Sequence, residues 1–313
     1  MADRFRRWVL WSAVVGQLSC GLFRSGNTAP TAGAGQGPVR VFTDSDLVTD
    51  ITASGTQVFV GTYRGILRYN AEGGAPTRLG RAEGLPADEV YTVAVSDDGA
   101  TVWAATPGGV VRSQNGGRFA PVGDGQPDVG RPTALVALDN GALLGGQQGL
   151  ARFDGTRWYK LTDHYQVTAM TRDGQRVLVA TAQAGLLVLG ADFQALDEHG
   201  LTAGLPDALV RDVVAMPGGR LWALCQGTGG MSLAHYDGSR WYAYTSEQVR
   251  STWLALVPSG STVALVVPGA WYDIELDHGE DLTPLNAAPA GGVLHVPLSP
   301  VAFEPPPPPP APP

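Results

Sequence analysis

The chain has 313 residues, with 42 Gly, 24 Pro, 44% hydrophobic residues and only 16% charged residues, against roughly a quarter charged in an ordinary soluble domain. The apolar content excludes wholesale disorder. The near absence of lysine and of any sustained period of 3.6 excludes a helical bundle or coiled coil, which leaves a turn-rich all-β protein. A net charge of −8 excludes a nucleic-acid binder, which needs a basic face.

The N-terminus reads as an address. Arg4, Arg6 and Arg7 form a basic region, and the apolar stretch 8–15 that follows falls short of the roughly 20 residues a bilayer span requires. Residues 1–19 are therefore expected to be a signal peptide. Leu18-Ser19-Cys20-Gly21 resembles a bacterial lipobox, in which cleavage precedes a lipid-modified cysteine, although Gln17 stands where that pattern has leucine. Two alternatives stay open: ordinary cleavage near Ala32-Gly33-Ala34 with secretion, and an uncleaved anchor. Cys20 and Cys225 are the two cysteines, so lipid on Cys20 precludes an intrachain disulfide. Cleavage before Cys20 removes three Arg and one Asp and takes the net charge from −8 to −10. Anionic head groups repel such a surface, so the acyl chains alone would hold it at the membrane. Residues 20–38, rich in Gly, Ala, Thr and Pro, read as a flexible tether.

Beyond the tether one short strand recurs: Val58-Phe-Val-Gly-Thr62, Val102-Trp-Ala-Ala-Thr106, Ala142-Leu-Leu-Gly-Gly146, Val177-Leu-Val-Ala-Thr181, Leu221-Trp-Ala-Leu-Cys225 and Val263-Ala-Leu-Val-Val267. Four copies are followed by a Gly turn and a second apolar strand, as in Gly65-Ile-Leu-Arg68 and Gly109-Val-Val-Arg112. Apolar strands ending in tight turns precede them, such as Val93-Ala-Val95 before Asp97-Asp98-Gly99, where Asp-Gly pairs supply positive φ. An aromatic strand closes several units, as in Asp154-Gly155-Thr-Arg-Trp158 and Asp237-Gly238-Ser-Arg-Trp241. A four-stranded antiparallel meander repeated about every 40 residues is the signature of a β-propeller blade.

The repeats resemble those of the two-component regulator propeller family. Gly84-Leu85-Pro86, Asp97-Asp98-Gly99, Val102-Trp103-Ala-Ala-Thr106 and Gly109-Val-Val-Arg112 follow that pattern, and so do Gly204-Leu205-Pro206, Leu221-Trp222 and Asp237-Gly238 with Trp241. The resemblance covers roughly residues 47–276 and implies a propeller, often the extracellular sensor part of a hybrid kinase. Its motifs name no substrate, and the chain carries no kinase segment, so signalling does not transfer.

The propeller is expected over 39–304, with about seven blades and six as the alternative. A seventh would begin at Gly291-Gly292-Val293-Leu-His-Val296 and Pro300-Val-Ala-Phe303. Its outer strand would be Val41-Phe-Thr43, donated by the N-terminus, because Val39-Arg-Val-Phe-Thr43-Asp44, followed by Val48-Thr-Asp-Ile51, aligns with Tyr159-Lys-Leu-Thr162-Asp163, followed by Val167-Thr-Ala-Met170. Such a join leaves no open sheet edge. Residues 305–313 form a polyproline tail, either a ligand for an aromatic groove or a spacer.

Catalytic patterns are scarce. Cys225 occupies the slot of Thr62, Thr106 and Thr181 and reads as packing. The five histidines lack ligand spacing, and Gly-x-Ser-x-Gly elbows, phosphate loops and dinucleotide fingerprints are missing. Asp44, Asp46 and Asp50, like Asp277, Glu280 and Asp281, hint at calcium but fit turn chemistry. The innermost strands, such as Val93 to Val95 and Val213 to Ala215, offer little but aliphatics and Asp212. Aromatics crowd the later units; Trp158 and Trp241 share a repeat position and read as packing, whereas Trp253, Trp271 and Tyr272 break the pattern and are candidates for binding. The resulting expectation is a non-enzymatic, monomeric propeller lipoprotein of the cell envelope, facing periplasm or exterior, or else secreted. It would use no cofactor and would bind another envelope protein or a surface glycan. The competing expectation is an envelope enzyme of the glycan lyase, hydrolase or lactonase type at the channel mouth.

Overall fold

The structure is a computed structural model that describes residues 47–300, apart from 71–72, 124–126, 194, 197–203, 240, 246–254, 260–261, 268–269, 278–291 and 298. The signal segment, the tether, Val41 to Thr43 and the polyproline tail lie outside the described residues.

Six sheets follow one another along the chain. The first contains β1 (Val48–Ser54), β2 (Gln57–Thr62), β3 (Gly65–Asn70) and β4 (Thr77–Leu79). The second contains β5 (Thr92–Val95), β6 (Thr101–Thr106), β7 (Gly109–Gln114) and β8 (Ala120–Pro121). The third holds β9 (Pro132–Leu138), β10 (Gly141–Gly146), β11 (Gly149–Phe153) and β12 (Trp158–Thr162), and the fourth holds β13 (Val167–Asp173), β14 (Arg176–Thr181), β15 (Leu186–Leu189) and β16 (Ala195–Leu196). In the fifth are β17 (Val210–Met216), β18 (Arg220–Gly227), β19 (Gly230–Tyr236) and β20 (Trp241–Thr245); in the sixth are β21 (Ala255–Ser259), β22 (Thr262–Val267), β23 (Ala270–Asp277) and β24 (Gly292–Pro297). A two-residue β25 (Ser299–Pro300) adds to β20.

Each of the first five sheets is built on an antiparallel meander, and the first strands β1, β5, β9, β13, β17 and β21 contact one another in sequence. This is a β-propeller. The recurring strand of the sequence is the second strand of every sheet. In the first five sheets it is buried over nearly its whole length, because both of its faces meet a neighbouring sheet. That explains its unbroken run of apolar residues, where a half-exposed strand would alternate.

The core is divided accordingly. Phe59, Ile66, Val93, Val102 and Phe119 fill the space between the first and second sheets, and Trp103, Leu135, Leu144 and Phe153 fill that between the second and third. Leu143, Val167, Val177 and Val179 join the third to the fourth, and Leu178, Leu186, Val213, Leu221 and Trp241 join the fourth to the fifth.

Local chemistry fixes the turns. The threonine ending the recurring strand clamps the next turn: Thr62 Oγ1 donates to Gly65 O (2.8 Å) and accepts from Arg64 N (3.0 Å), and Thr106 and Thr181 do the same. In Asp154-Gly155-Thr156-Arg157 the Asp154 carboxylate accepts from Thr156 N (2.8 Å) and Arg157 N (2.9 Å), and Asp237 repeats this with Ser239 N. These Asx turns launch the outer strands that begin at Trp158 and Trp241. Within Gly84-Leu85-Pro86, Gly84 has φ 101° and approaches the Phe119 backbone so closely that a Cβ would lie 2.3 Å from its carbonyl oxygen.

The sixth sheet departs from the expected meander. Its fourth strand, β24, pairs parallel to β23, with Tyr272 opposite Gly292 and Ile274 opposite Leu294. Gly292 to Val296, the expected start of a seventh blade, thus lies in the sixth sheet, and Pro300 pairs with Tyr242 in the fifth. The described residues form six sheets.

Candidate functional site: the channel mouth and its rim

Strand direction gives the ring two unlike faces. One carries the connections from each fourth strand to the next first strand, together with the turns between second and third strands; Gly65 N, for example, donates to Asp88 O across this face (2.7 Å). This is the crossover face. The opposite, turn face carries the hairpins that join first to second strands.

At the crossover face the first strands are stitched to one another by side chains. A register shift occurs near the start of β1, β9, β13 and β17. The residue skipped is Thr49, Thr133, Thr168 or Arg211. A bulge turns the extra side chain away from the ladder. Each threonine uses this to reach the next blade: Thr49 Oγ1 donates to Val90 O (2.6 Å), Thr133 Oγ1 to Val167 O (2.7 Å) and Thr168 Oγ1 to Val210 O.

The following position holds Asp50 in the first sheet and Asp212 in the fifth. Asp50 accepts from Thr92 Oγ1, from Val93 N (2.9 Å) and from its neighbour Ile51 N (2.8 Å). Asp212 accepts from Leu256 N (2.7 Å) and Val213 N (2.8 Å). Each carboxylate therefore ties its own blade to the next. Both residues are half-buried, and burial of the carboxyl groups pushes both pKa values up, Asp212 to about 6, against the opposing effect of the N–H donors. The negative charge of Asp50 adds to the rise at Asp212, so the two acids face one electrostatic environment across the ring. Chemically the mouth can hold a proton near neutral pH or attract a cation.

Around this mouth lies an aromatic rim built by three blades. Leu47 and Tyr63 are exposed, and Tyr63 N donates to Leu47 O (3.1 Å). The Arg131 guanidinium stacks over the Tyr91 ring at 4.7 Å, reaches the Glu89 carboxylate at 3.3 Å, and lies 3.5 Å from the Tyr63 hydroxyl. The stack gives the cation a fixed position. Tyrosine and arginine are the residues that interfaces favour.

The turn face is different. Arg172, from the end of β13, bridges Asp97 (3.0 Å) and Asp139 (3.3 Å), which lie in the hairpin turns of the second and third sheets. Both acids are largely exposed, so this bridge contributes little to stability.

Of the residues singled out by sequence, Trp253 lies outside the described residues, and Trp271 and Tyr272 fall on β23 with their side chains outside them. Asp44, Asp46, Glu280 and Asp281 are likewise outside. Asp50 belongs to a strand and not to a turn loop, which removes it from the calcium-like grouping. Among the described residues there is no group of three or more His, Cys, Asp or Glu placed to hold a metal. Trp241 is buried, and the half-buried Trp158 donates from Nε1 to Val122 O (2.9 Å), so both serve packing between blades. The sequence reading missed Asp50 as an inner-strand acid; the shared pattern Val48-Thr-Asp50 and Val210-Arg-Asp212 was the available signal.

Cys225 is fully buried, and desolvation pushes its thiol up to about 12. In a Cys20→Ser background this thiol is expected to stay unreactive toward a disulfide reagent at pH 8 until denaturant is added. Rapid labelling of the native protein would show instead that the fifth blade opens locally.

No family model matches the sequence, and no curated protein matches it either. Among solved structures, the β-propeller domain of Myceliophthora thermophila Cps50 (Swd1) superposes with a TM-score of 0.56 at 12% identity, over 72% of this chain and 81% of that one. The WD40 repeats of RRP9 give a TM-score of 0.53 at 12% identity over 70% and 72%. The extracellular domain of BT4673 from B. thetaiotaomicron gives 0.45 at 12% identity, over 78% of this chain and 41% of that one. The first two likenesses show the propeller fold. No helix among the described residues is long and apolar enough to cross a membrane.

Proposed function

We propose that the protein is a non-enzymatic binding or scaffold module of the bacterial cell envelope, held at the membrane by lipid on Cys20, and that its crossover face takes another envelope protein or a surface glycan. The observation that carries this reading is the rim in which the exposed Leu47, Tyr63 and Arg131 and the half-buried Glu89 and Tyr91, from three blades, form one aromatic and charged surface. A ring of braced blades presents such a surface without ordering loops on binding, which lowers the entropic cost of association. The lipobox-like Leu18-Ser19-Cys20-Gly21 supports the envelope address.

In-cell crosslinking and pull-down of the full-length protein tests it, beside Cys20→Ser and the double substitution Tyr63→Ala with Arg131→Ala. A discrete partner is expected for the wild type, with capture reduced at least about 10-fold by the double substitution, as for truncation of interface hot spots. Loss in the Cys20→Ser arm marks dependence on the anchor. A Trp253→Ala arm asks whether the later aromatics share in the contact. Unchanged capture by the rim variant, or no partner in any arm, would remove the crossover rim as the binding surface.

The second reading is an envelope enzyme of the glycan lyase, hydrolase or lactonase type, favoured by two acids with raised pKa values at one channel mouth. It ranks second because both carboxylates are already engaged by N–H groups of the adjoining blades.

A further inference from the structure

One slot of the repeat holds an arginine in the first three sheets. It lies on the third strand, opposite the second residue of the recurring strand: Arg68 opposes Phe59, Arg112 opposes Trp103 and Arg152 opposes Leu143. In the second sheet the slot is well covered, because the Arg112 guanidinium lies 5.6 Å from the Trp103 ring and 5.8 Å from that of Phe153 in the next blade. Leu143 offers Arg152 no ring. Arg152 takes one from the fourth blade instead, with its guanidinium 4.0 Å from the centre of Phe193. Phe193 reaches it from a turn where its own backbone is left-handed, with φ 62°, a conformation that a bulky residue holds only when its surroundings impose it.

A ring offsets the charge of a guanidinium but supplies no oxygen to its five N–H donors. Arg152 is half-buried, its Nε is buried without a hydrogen-bond partner, and among the described residues it forms no ion pair. Leaving a buried donor unmade costs more than a made bond returns. Tyr159 stands directly opposite Arg152 across β11 and β12, so the two side chains share the face turned toward the fourth blade. Tyr159 is 38% exposed, and Arg157 Nε donates to its hydroxyl while the Arg157 guanidinium lies 4.6 Å from the ring centre. The phenol keeps its own O–H to donate. Asp154, the acid beside Arg157, already accepts from Thr156 N, Thr156 Oγ1 and Arg157 N.

We propose that this outer wall between the third and fourth blades, formed by Arg152, Arg157, Tyr159 and Phe193, binds the carboxylate of an acidic sugar. Arginine's planar fork matches a carboxylate with two parallel N–H···O bonds, and the exposed tyrosine sets an amphipathic ring beside it for the sugar to lie against. A monovalent carboxylate suits the wall better than a divalent phosphate, because the chain carries a net −8 and Asp154 acts on Arg157. An extended acidic peptide suits it less. Such a strand would pair along the β12 edge, whose middle residue is Lys160, the only lysine in the sequence, and a lysine there opposes strand addition. The site shares no residue with the crossover rim and does not depend on the anchor.

Titration of the purified full-length Cys20→Ser protein with a hexamer of galacturonic acid at low ionic strength tests it. The same hexamer with methyl-esterified carboxyl groups and a hexaglutamate peptide serve as competitors. The acid hexamer is expected to bind, and the ester to bind at least about 10-fold more weakly, as for loss of hydrogen bonds to charged groups. Arg152→Gln and Arg157→Gln should each weaken binding about 10-fold by the same route. Lys160→Gln, whose side chain lies on the opposite face of the sheet, should change it by less than about 2-fold, the effect of an exposed charge acting through solvent. No binding of the acid hexamer, equal binding of the ester or of hexaglutamate, or an equal loss in Lys160→Gln overturns the proposal. Should Arg152→Gln lower Tm, the exposed Arg157 decides: unchanged affinity in Arg157→Gln overturns the proposal as well.

Discussion

At pH 7 the Asp212→Asn variant is expected to be more stable than the wild type, and the difference is expected to vanish near pH 4. The cause is ionisation of a buried acid. Burial raises the Asp212 pKa from its ordinary 3.8 to about 6, and N–H donation from Leu256 and Val213 only partly opposes this. A folded-state value above the unfolded one means that the native protein resists losing the proton. Stability from this group is therefore full below pH 3.8, falls as pH rises, and is lost above pH 6. A shift of that size corresponds to about 3 kcal/mol, an upper figure because the residue keeps some solvent contact. Asparagine does not ionise and keeps a carbonyl oxygen to accept from one of the two N–H groups.

His235 has the opposite dependence. It is buried against Trp222, with ring centroids 4.5 Å apart, and desolvation lowers its pKa from 6.5 to about 4. Its neutral form is the native one, so stability is lost as pH falls through that interval. In the wild type the two slopes therefore oppose each other over nearly the same interval and largely cancel, while in Asp212→Asn the His235 slope is opposed only by the raised Asp50, so stability should rise more with pH between 4 and 6.5. Urea denaturation at pH 4, 5.5 and 7 measures this directly. An equal difference at all three values would mean that the mouth is wet enough to ionise freely. Asp50→Asn should shift the wild-type slope to lower pH, because it removes the charge that helps raise Asp212.

The architecture was legible in the sequence because its cause is local and repeated. A strand covered on both faces must be apolar throughout, and a clamp threonine, an Asx turn and a Gly-Leu-Pro crossover mark its surroundings; each signal reappears in several blades. The channel mouth was not legible. Asp50 and Asp212 lie far apart in the chain, and only the packing of successive first strands side by side puts them into one field. As single residues both look like ordinary strand-end acids. The rim has the same origin, since Tyr63, Tyr91 and Arg131 belong to three blades and none follows a repeat position. The end of the chain misled for a different reason: Gly292 to Val296 has the apolar pattern of a first strand, but pattern alone does not say which edge a strand joins or in which direction.

Trp241→Ala should cost about 3–5 kcal/mol, the range for emptying a buried tryptophan site that cannot collapse. Trp241 is 2% exposed and packs among Leu178, Leu186, Val210, Val213 and Leu221, so it belongs to the fourth-to-fifth interface more than to its own sheet. Tyr236 lies against it, with ring centroids 5.3 Å apart. The crossover before the fifth sheet closes over the same ring: a Cβ on Gly204 would come within 2.7 Å of Trp241 Cδ1. Gly204-Leu205-Pro206 is thus a lid fitted to this indole, and Gly204→Val should destabilise by the same route, through overpacking. Trp158→Ala should cost less. That ring is only half-buried against its cluster, although the hydrogen bond to Val122 O is lost with it. The comparison is made by equilibrium urea unfolding of the three variants. If Trp241→Ala costs under about 1 kcal/mol while Trp158→Ala costs more, the interface repacks and the fifth blade is braced chiefly by its first strand, through Thr168 and Asp212. If the expected order holds, the indole at the outer strand is what locks one blade to the next. A crossover rim shared by three blades depends on such locks to keep its shape.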